Sequence, residues 1–244
     1  MTQAFQRDRL TWFVYLLLAF YSYFLNALGP ITPFLKDELS LSYTVSGLHF
    51  AALAAGLLMI GLAGDAAVRR LGQLDALWVG AFGISVSVAV LTSVRSVVFT
   101  IGAAFLMGLV GSLILVTVPS LLSDLHGEGR AVALSEANMI ASLVGVAASL
   151  FVGWAARLPG GWRWALGGVA LAPFLALPWA GRFRSPASRP QAAAVTLARG
   201  RLPRLYWLYW AALFLAVSVE FCMTSGARTT SPAWGCGKPT RLRP

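Results

Sequence analysis

The sequence predicts an all-α, polytopic membrane protein: a six-helix bundle of two inverted three-helix repeats, followed by one further transmembrane helix. Three observations lead there. Hydrophobic residues make up 58% of the chain and charged ones only 11%, whereas a soluble domain is about half apolar and about a quarter charged. Too few polar side chains remain to cover a water-facing surface, which excludes an ordinary soluble enzyme, a disordered protein and a secreted disulfide scaffold. Long apolar runs, each near the roughly 20 residues that cross a bilayer, recur along the 244 residues. Finally, the chain echoes itself, with Pro30 and Pro119 as the first matched pair.

The runs follow in order. Met1 to Leu10 is short and polar. The first run, Thr11 to Phe34, has no small-residue cleavage site and is followed by more apolar runs, so it reads as a membrane helix rather than a removed signal peptide. The next five cover Val45 to Ala63, Ala76 to Val94, Val97 to Leu122, Leu134 to Trp154 and Trp164 to Trp179. A seventh covers Leu205 to Thr224. Lipid offers no hydrogen-bond partners, so such runs must be helices that satisfy their own backbone groups. The expected organisation is a bundle over 1–180, an Arg-rich linker over 181–204, a seventh helix over 205–224 and an aberrant polar tail over 225–244.

Charge sets the orientation. With the N-terminus inside, cytoplasmic segments hold Arg7, Arg9, Arg69, Arg70, Arg130, Arg182, Arg184, Arg189, Arg199, Arg201 and Arg204, eleven in all. The other side holds four: Lys36, Arg95, Arg157 and Arg163. The positive-inside rule then places the N-terminus in the cytoplasm of a cell (inner or plasma) membrane. The net charge of +10 therefore reads as topology and as attraction of the linker to anionic lipid headgroups, not as nucleic-acid binding.

The echo runs at a constant offset. Ser46, Ala52, Gly56 and Gly64 pair with Ser135, Ala141, Gly145 and Gly153, and Gly72 pairs with Gly161. Each unit has three helices, an odd number, so the second enters the membrane from the opposite side. That is the inverted repeat of many secondary transporters.

The most informative segment joins the second and third runs, Gly61 to Gly72. Gly61, Asp65, Arg69, Arg70 and Gly72 resemble the cytoplasmic signature loop of the major facilitator superfamily. Val68 stands where that pattern has a Gly, and Ala66 where it has a basic residue. Physically, Gly61 permits close helix approach, Asp65 can accept from a neighbouring helix N-terminus, and Arg69 can pair with Asp124. The resemblance implies that this network latches two halves of a twelve-helix transporter. Gly29 to Leu39, and Ser135-Glu136-Ala137-Asn138 after Arg130, are similar to the family's outer loop and fifth-helix start.

Ala141, Gly145, Ser149 and Gly153 are spaced by four and predict a smooth packing ridge on the fifth helix. The resemblance places that helix at the interface between halves. Antiporter members carry Gly-Pro here; Gly145-Val146 departs from that. Asn26 in the first helix and Glu220 in the seventh are polar at membrane depth, which is costly and marks function by default. The resemblance puts both helices on the central pathway, with Asn26 binding solute and Glu220 carrying a coupling proton.

No enzyme is expected: Ser112 after Gly111 has no histidine in helices five to seven to serve as base. His49 and His126 stand isolated, Cys222 and Cys236 match no ligand spacing, and no cofactor or metal is expected. The implied function is secondary active transport of a small solute by alternating access. Codons compatible with the sequence after Ser225, moved by one base, read as a more ordinary helix end. The expectation is a frameshifted or truncated copy, partnered by membrane lipids and by a missing C-terminal half. The alternative is a half-size membrane protein acting as a dimer with a second copy, or a scaffold or sensor.

Overall fold

The computed structural model describes residues 6–180 and 204–226. Among the described residues there are helices and turns and no strand. The chain divides into two units, Met1–Arg189 and Pro190–Pro244. The first holds α1 (Arg9–Leu39), α2 (Tyr43–Leu71), α3 (Gln73–Ser93), α4 (Val97–His126), a 3-10 turn (Gly127–Gly129), α5 (Arg130–Ala155), α6 (Gly161–Ala170) and α7 (Ala172–Ala180). The second holds α8 (Arg204–Gly226).

Local chemistry sets the helix ends. Asp8 caps α1 by accepting from the Thr11 amide at 2.7 Å, and Ser42 caps α2 by accepting from the Val45 amide at 3.2 Å. Each satisfies one of the amides that a helix start leaves without a partner. Lengths then match a bilayer. α1, α2 and α3 are each long and apolar enough to cross, as is the stretch Val97–Ala155 of 59 residues. At 1.5 Å per residue that stretch would be about 90 Å long. It instead folds back at the 3-10 turn into two crossings, α4 and α5.

α1 is the central helix. Tyr15, Phe24, Leu28 and Ile31 are almost fully buried, together with Leu77 and Ile84 of α3, Ile114 and Leu121 of α4, and Leu166 of α6. A row of rings fixes the outer helices: Phe13 on Trp78 (5.2 Å), Trp78 stacked on Phe82 (5.4 Å), and Phe82 on Phe174 of α7 (5.1 Å). α2, in contrast, is mostly uncovered and more apolar than α1, as suits a surface facing hydrocarbon. Where α2 meets α4 the backbones touch. A Cβ on Gly108 would run into the Leu53 carbonyl, and one on Gly56 would lie 2.5 Å from the Leu109 amide.

The repeat is visible in the elements themselves. Adding the Pro30-to-Pro119 offset of 89 to α1 gives 98–128, against Val97–His126 for α4. The same shift carries α2 to 132–160, against Arg130–Ala155 for α5, and α3 to 162–182, against Gly161–Ala180 for α6 with α7. Packing follows suit: α1 lies along α5 and α4 lies along α2. Exchanging the two three-helix units turns one pair into the other.

The sixth run differs from expectation. It is not one helix over Trp164 to Trp179 but α6 and α7, parted at Leu171. Pro173 has no N–H to give the Val169 carbonyl, and its ring crowds that carbonyl. Gly167 and Gly168 weaken the preceding turn further. The Leu171 amide reaches the Gly168 carbonyl at a long 3.4 Å, and the ladder restarts with the Phe174 and Leu175 amides on the Leu171 carbonyl. The linker expected over 181–204 and the tail over 225–244 lie outside the described residues, except that α8 begins at Arg204 and runs through Gly226.

Candidate functional site

The signature segment is helix, not loop. α2 continues past Ala63 to Leu71, so Gly61, Asp65, Arg69 and Arg70 sit on its last turns. A single residue, Gly72, separates α2 from α3. Its φ of 87° lies where a Cβ is penalised. The Gly72 amide closes α2 on the Val68 carbonyl (2.8 Å), and its carbonyl opens α3 by accepting from the Ala76 amide (3.0 Å). Arg69 and Arg70 in the last turn of α2, and Asp75 in the first turn of α3, suit the two helix dipoles. Val68 is therefore no obstacle to a tight turn, because Gly72 supplies it.

Two expected contacts are replaced. Arg69 pairs with Asp65, one turn back on the same helix, rather than with Asp124. Asp65 accepts from Arg69 rather than from a neighbouring helix. Asp124 instead accepts from Gln73 Nε2 at 2.8 Å, and the same nitrogen lies 3.3 Å from Ser120 Oγ. The cause is geometric: the one-residue joint sets the first residue of α3, not the last turn of α2, over the end of α4. Gly61 has no heavy atom within 4 Å of its Cβ position; the close approach on α2 is made by Gly56.

The fifth-helix ridge splits. Ala141 and Gly145 are buried, Ser149 is half-buried and Gly153 is exposed. The buried face is Ala133, Ala137, Ala141, Gly145, Ala148, Val152 and Ala155. Steps of four overshoot the 3.6-residue turn, so a strict four-spaced row drifts off the interface; the buried row corrects this with steps of three. This face packs on α1.

That packing joins two residues the sequence had set apart. A Cβ on Gly145 would sit 2.7 Å from Asn26 Nδ2 and 3.0 Å from Ser22 Oγ. Ser22 Oγ donates to the Ala141 carbonyl at 2.7 Å, crossing from α1 to α5. Asn26 Nδ2 donates to the Ser22 carbonyl at 2.9 Å and lies 3.3 Å from Ser22 Oγ. Ser22, Asn26 and Gly29 are half-buried, on a helix that also carries the half-buried Leu25 and the exposed Trp12, Leu16 and Pro33. Asn26 falls within two residues, about 3 Å, of the middle of α1. Glu220 lies on α8, its side chain outside the described residues.

Sequence reasoning missed two ionic clusters that tie the repeats together at both ends of the bundle. At one end Arg7 Nε donates to Glu136 Oε2 at 2.9 Å while Nη2 pairs with Oε1, and the Tyr15 hydroxyl donates to the same carboxylate at 3.2 Å. This carboxylate raises the already high pKa of Arg7. Beside it Thr11 Oγ1 lies 2.5 Å from Asp8 and 2.8 Å from His126 Nε2. At the other end Arg163 donates to Glu38 Oε1 at 2.6 Å and to the Thr92 carbonyl at 2.9 Å, with Arg95 3.3 Å from Glu38. His126 is thus not isolated, nor is His49, whose Nε2 lies 3.0 Å from Thr100 Oγ1. Among the described residues no three His, Cys, Asp or Glu side chains gather as a metal site.

A family model described as Major Facilitator Superfamily matches residues 12–237. The chain belongs to the major facilitator superfamily. Its long apolar helices are accordingly those of a multi-pass membrane protein, and the superfamily is one of transporters rather than enzymes. No curated protein matches the chain.

Proposed function

We propose that this major facilitator superfamily chain serves secondary active transport of a small solute by alternating access, with its N-terminus in the cytoplasm. One observation carries the proposal: Asn26 sits at the middle of the central helix, half-buried and beside Ser22. A polar pair left partly open at that depth is costly against hydrocarbon, so it belongs on a water-filled path. Midplane sites between repeats are where secondary transporters bind their solutes.

Other residues take further roles. Asp65, Arg69, Arg70 and Asp124, with Gly72 shaping the joint, form the gating group at the cytoplasmic end. In the geometry described here Arg69 is held by Asp65 and Asp124 by Gln73. A latched state would move Arg69 onto Asp124. Glu220 on α8 serves as the coupling carboxylate. Membrane lipids cover the apolar faces.

Water access at position 26 tests the reading. In a Cys222→Ser, Cys236→Ser background, Asn26→Cys should react with a membrane-impermeant, water-soluble thiol reagent. Leu58→Cys on the uncovered apolar face of α2, where Leu58 is 69% exposed, should not. Equal lack of reaction at both positions rejects a water path along α1.

A further inference from the structure

We infer that Asn26 offers its amide oxygen to the solute, that Ser22 and Gly145 are positioning residues that fix this orientation, and that the site takes solutes bearing a hydrogen-bond donor, an ammonium or hydroxyl group. This rests on the transport reading above and adds the chemistry of recognition.

The argument begins with the amide. Asn26 Nδ2 lies 2.9 Å from the Ser22 carbonyl oxygen, which can only accept. Turning the amide over would set Oδ1 against that oxygen, acceptor facing acceptor with no proton between them. The nitrogen end is therefore committed to α1. Ser22 Oγ strengthens the commitment. Its proton goes to the Ala141 carbonyl, leaving its lone pairs toward Nδ2 at 3.3 Å. With the NH2 group drawn inward by two oxygens, the carbonyl oxygen is the group left to face the open side of α1.

Gly145 provides the space. The Cβ position of any other residue there lies 2.7 Å from Nδ2 and 3.0 Å from Ser22 Oγ, inside van der Waals contact. Even alanine would push the amide off its two acceptors. The repeat sharpens the point. Gly56, the counterpart of Gly145, faces the backbone of α4, and the counterpart of Asn26 on α4 is Leu115, an apolar residue 46% exposed. One copy of the interface spends its glycine on backbone contact and the other on seating an amide. The polar recognition element is thus confined to the first repeat.

An acceptor at the site selects donors. A carboxylate is acceptor-only, whereas an ammonium brings three donors, and a hydrogen bond involving a charged group is the stronger kind. The experiment is thermal unfolding of the full chain in detergent, titrated with butylammonium and, separately, with butyrate. Butylammonium should raise the Tm and butyrate should not. Asn26→Leu should abolish the response, and Asn26→Asp, which keeps the acceptors, should retain it. Gly145→Ala and Ser22→Ala should each weaken the apparent affinity for butylammonium about tenfold, the scale of one charge-assisted hydrogen bond. Stabilisation by butyrate instead of butylammonium, or an unchanged response in both positioning variants, overturns the inference. Thiol labelling at position 26 is read separately: a labelled Asn26→Cys with the wrong ion preference removes the recognition chemistry alone, and an unlabelled one removes the transport reading too.

Discussion

At the scale of the residue, glycines of one helix separate into those that pack and those that do not. A Cβ at Gly56 meets the Phe105 carbonyl and the Leu109 amide, backbone atoms that cannot rotate away. Gly56→Ala should therefore destabilise the bundle by about 1–3 kcal/mol, the cost of overpacking, seen as a lowered Tm in detergent. Gly61→Ala meets nothing within 4 Å and should leave stability equal or raise it by about 0.5–1 kcal/mol through better helix propensity. The Arg7–Glu136 pair makes a second residue-scale prediction. Arg7→Glu and Glu136→Arg should each lower the Tm, and the double exchange should recover part of the loss, so that a thermal double-mutant cycle shows positive coupling. Little of this was legible in the sequence. Asn26 and Gly145 each stand out, one for polarity at depth and one for spacing, but Ser22 and Ala141, 119 positions apart, carry no local sign that the two segments meet. Arg7 read as ordinary cytoplasmic charge and Glu136, 129 residues on, as part of the fifth-helix start, for the same reason.

At the scale of the element, hydropathy located the long helices α1 to α5 and misjudged where α2 ends. Charge at Asp65, Arg69 and Arg70 ends the apolar run at Ala63, yet α2 continues to Leu71. The backbone needs no apolar side chain to stay helical, and terminal Arg residues favour the dipole. Apolarity likewise hid the break at Leu171, which depends on the proline and not on hydropathy. The α2–α3 joint gives the element-scale prediction. Gly72→Ala places a Cβ at φ 87° and ψ 154°, a region left essentially to glycine, and should cost about 1–3 kcal/mol. Its loss of Tm should be accompanied by altered thiol reactivity at Gln73→Cys, which sits next to the joint. An unchanged Tm would mean that the joint relaxes freely.

At the scale of the whole molecule, the repeat was legible in outline because small residues recur where helices touch. The offset read from Pro30 and Pro119 also predicts the element bounds of the second unit to within a few residues. What the offset cannot give is the exchange of partners, α1 with α5 and α4 with α2, which depends on one unit being turned over relative to the other. This turning over is the claim on which the proposed orientation, gating end and midplane site all depend. Arg70 and Pro159 are counterparts at the joints of the two units. In the background lacking Cys222 and Cys236, Arg70→Cys and Pro159→Cys should be labelled by an impermeant thiol reagent from opposite sides of the membrane, Arg70→Cys from the cytoplasmic side. Labelling of both from the same side would contradict the inverted architecture.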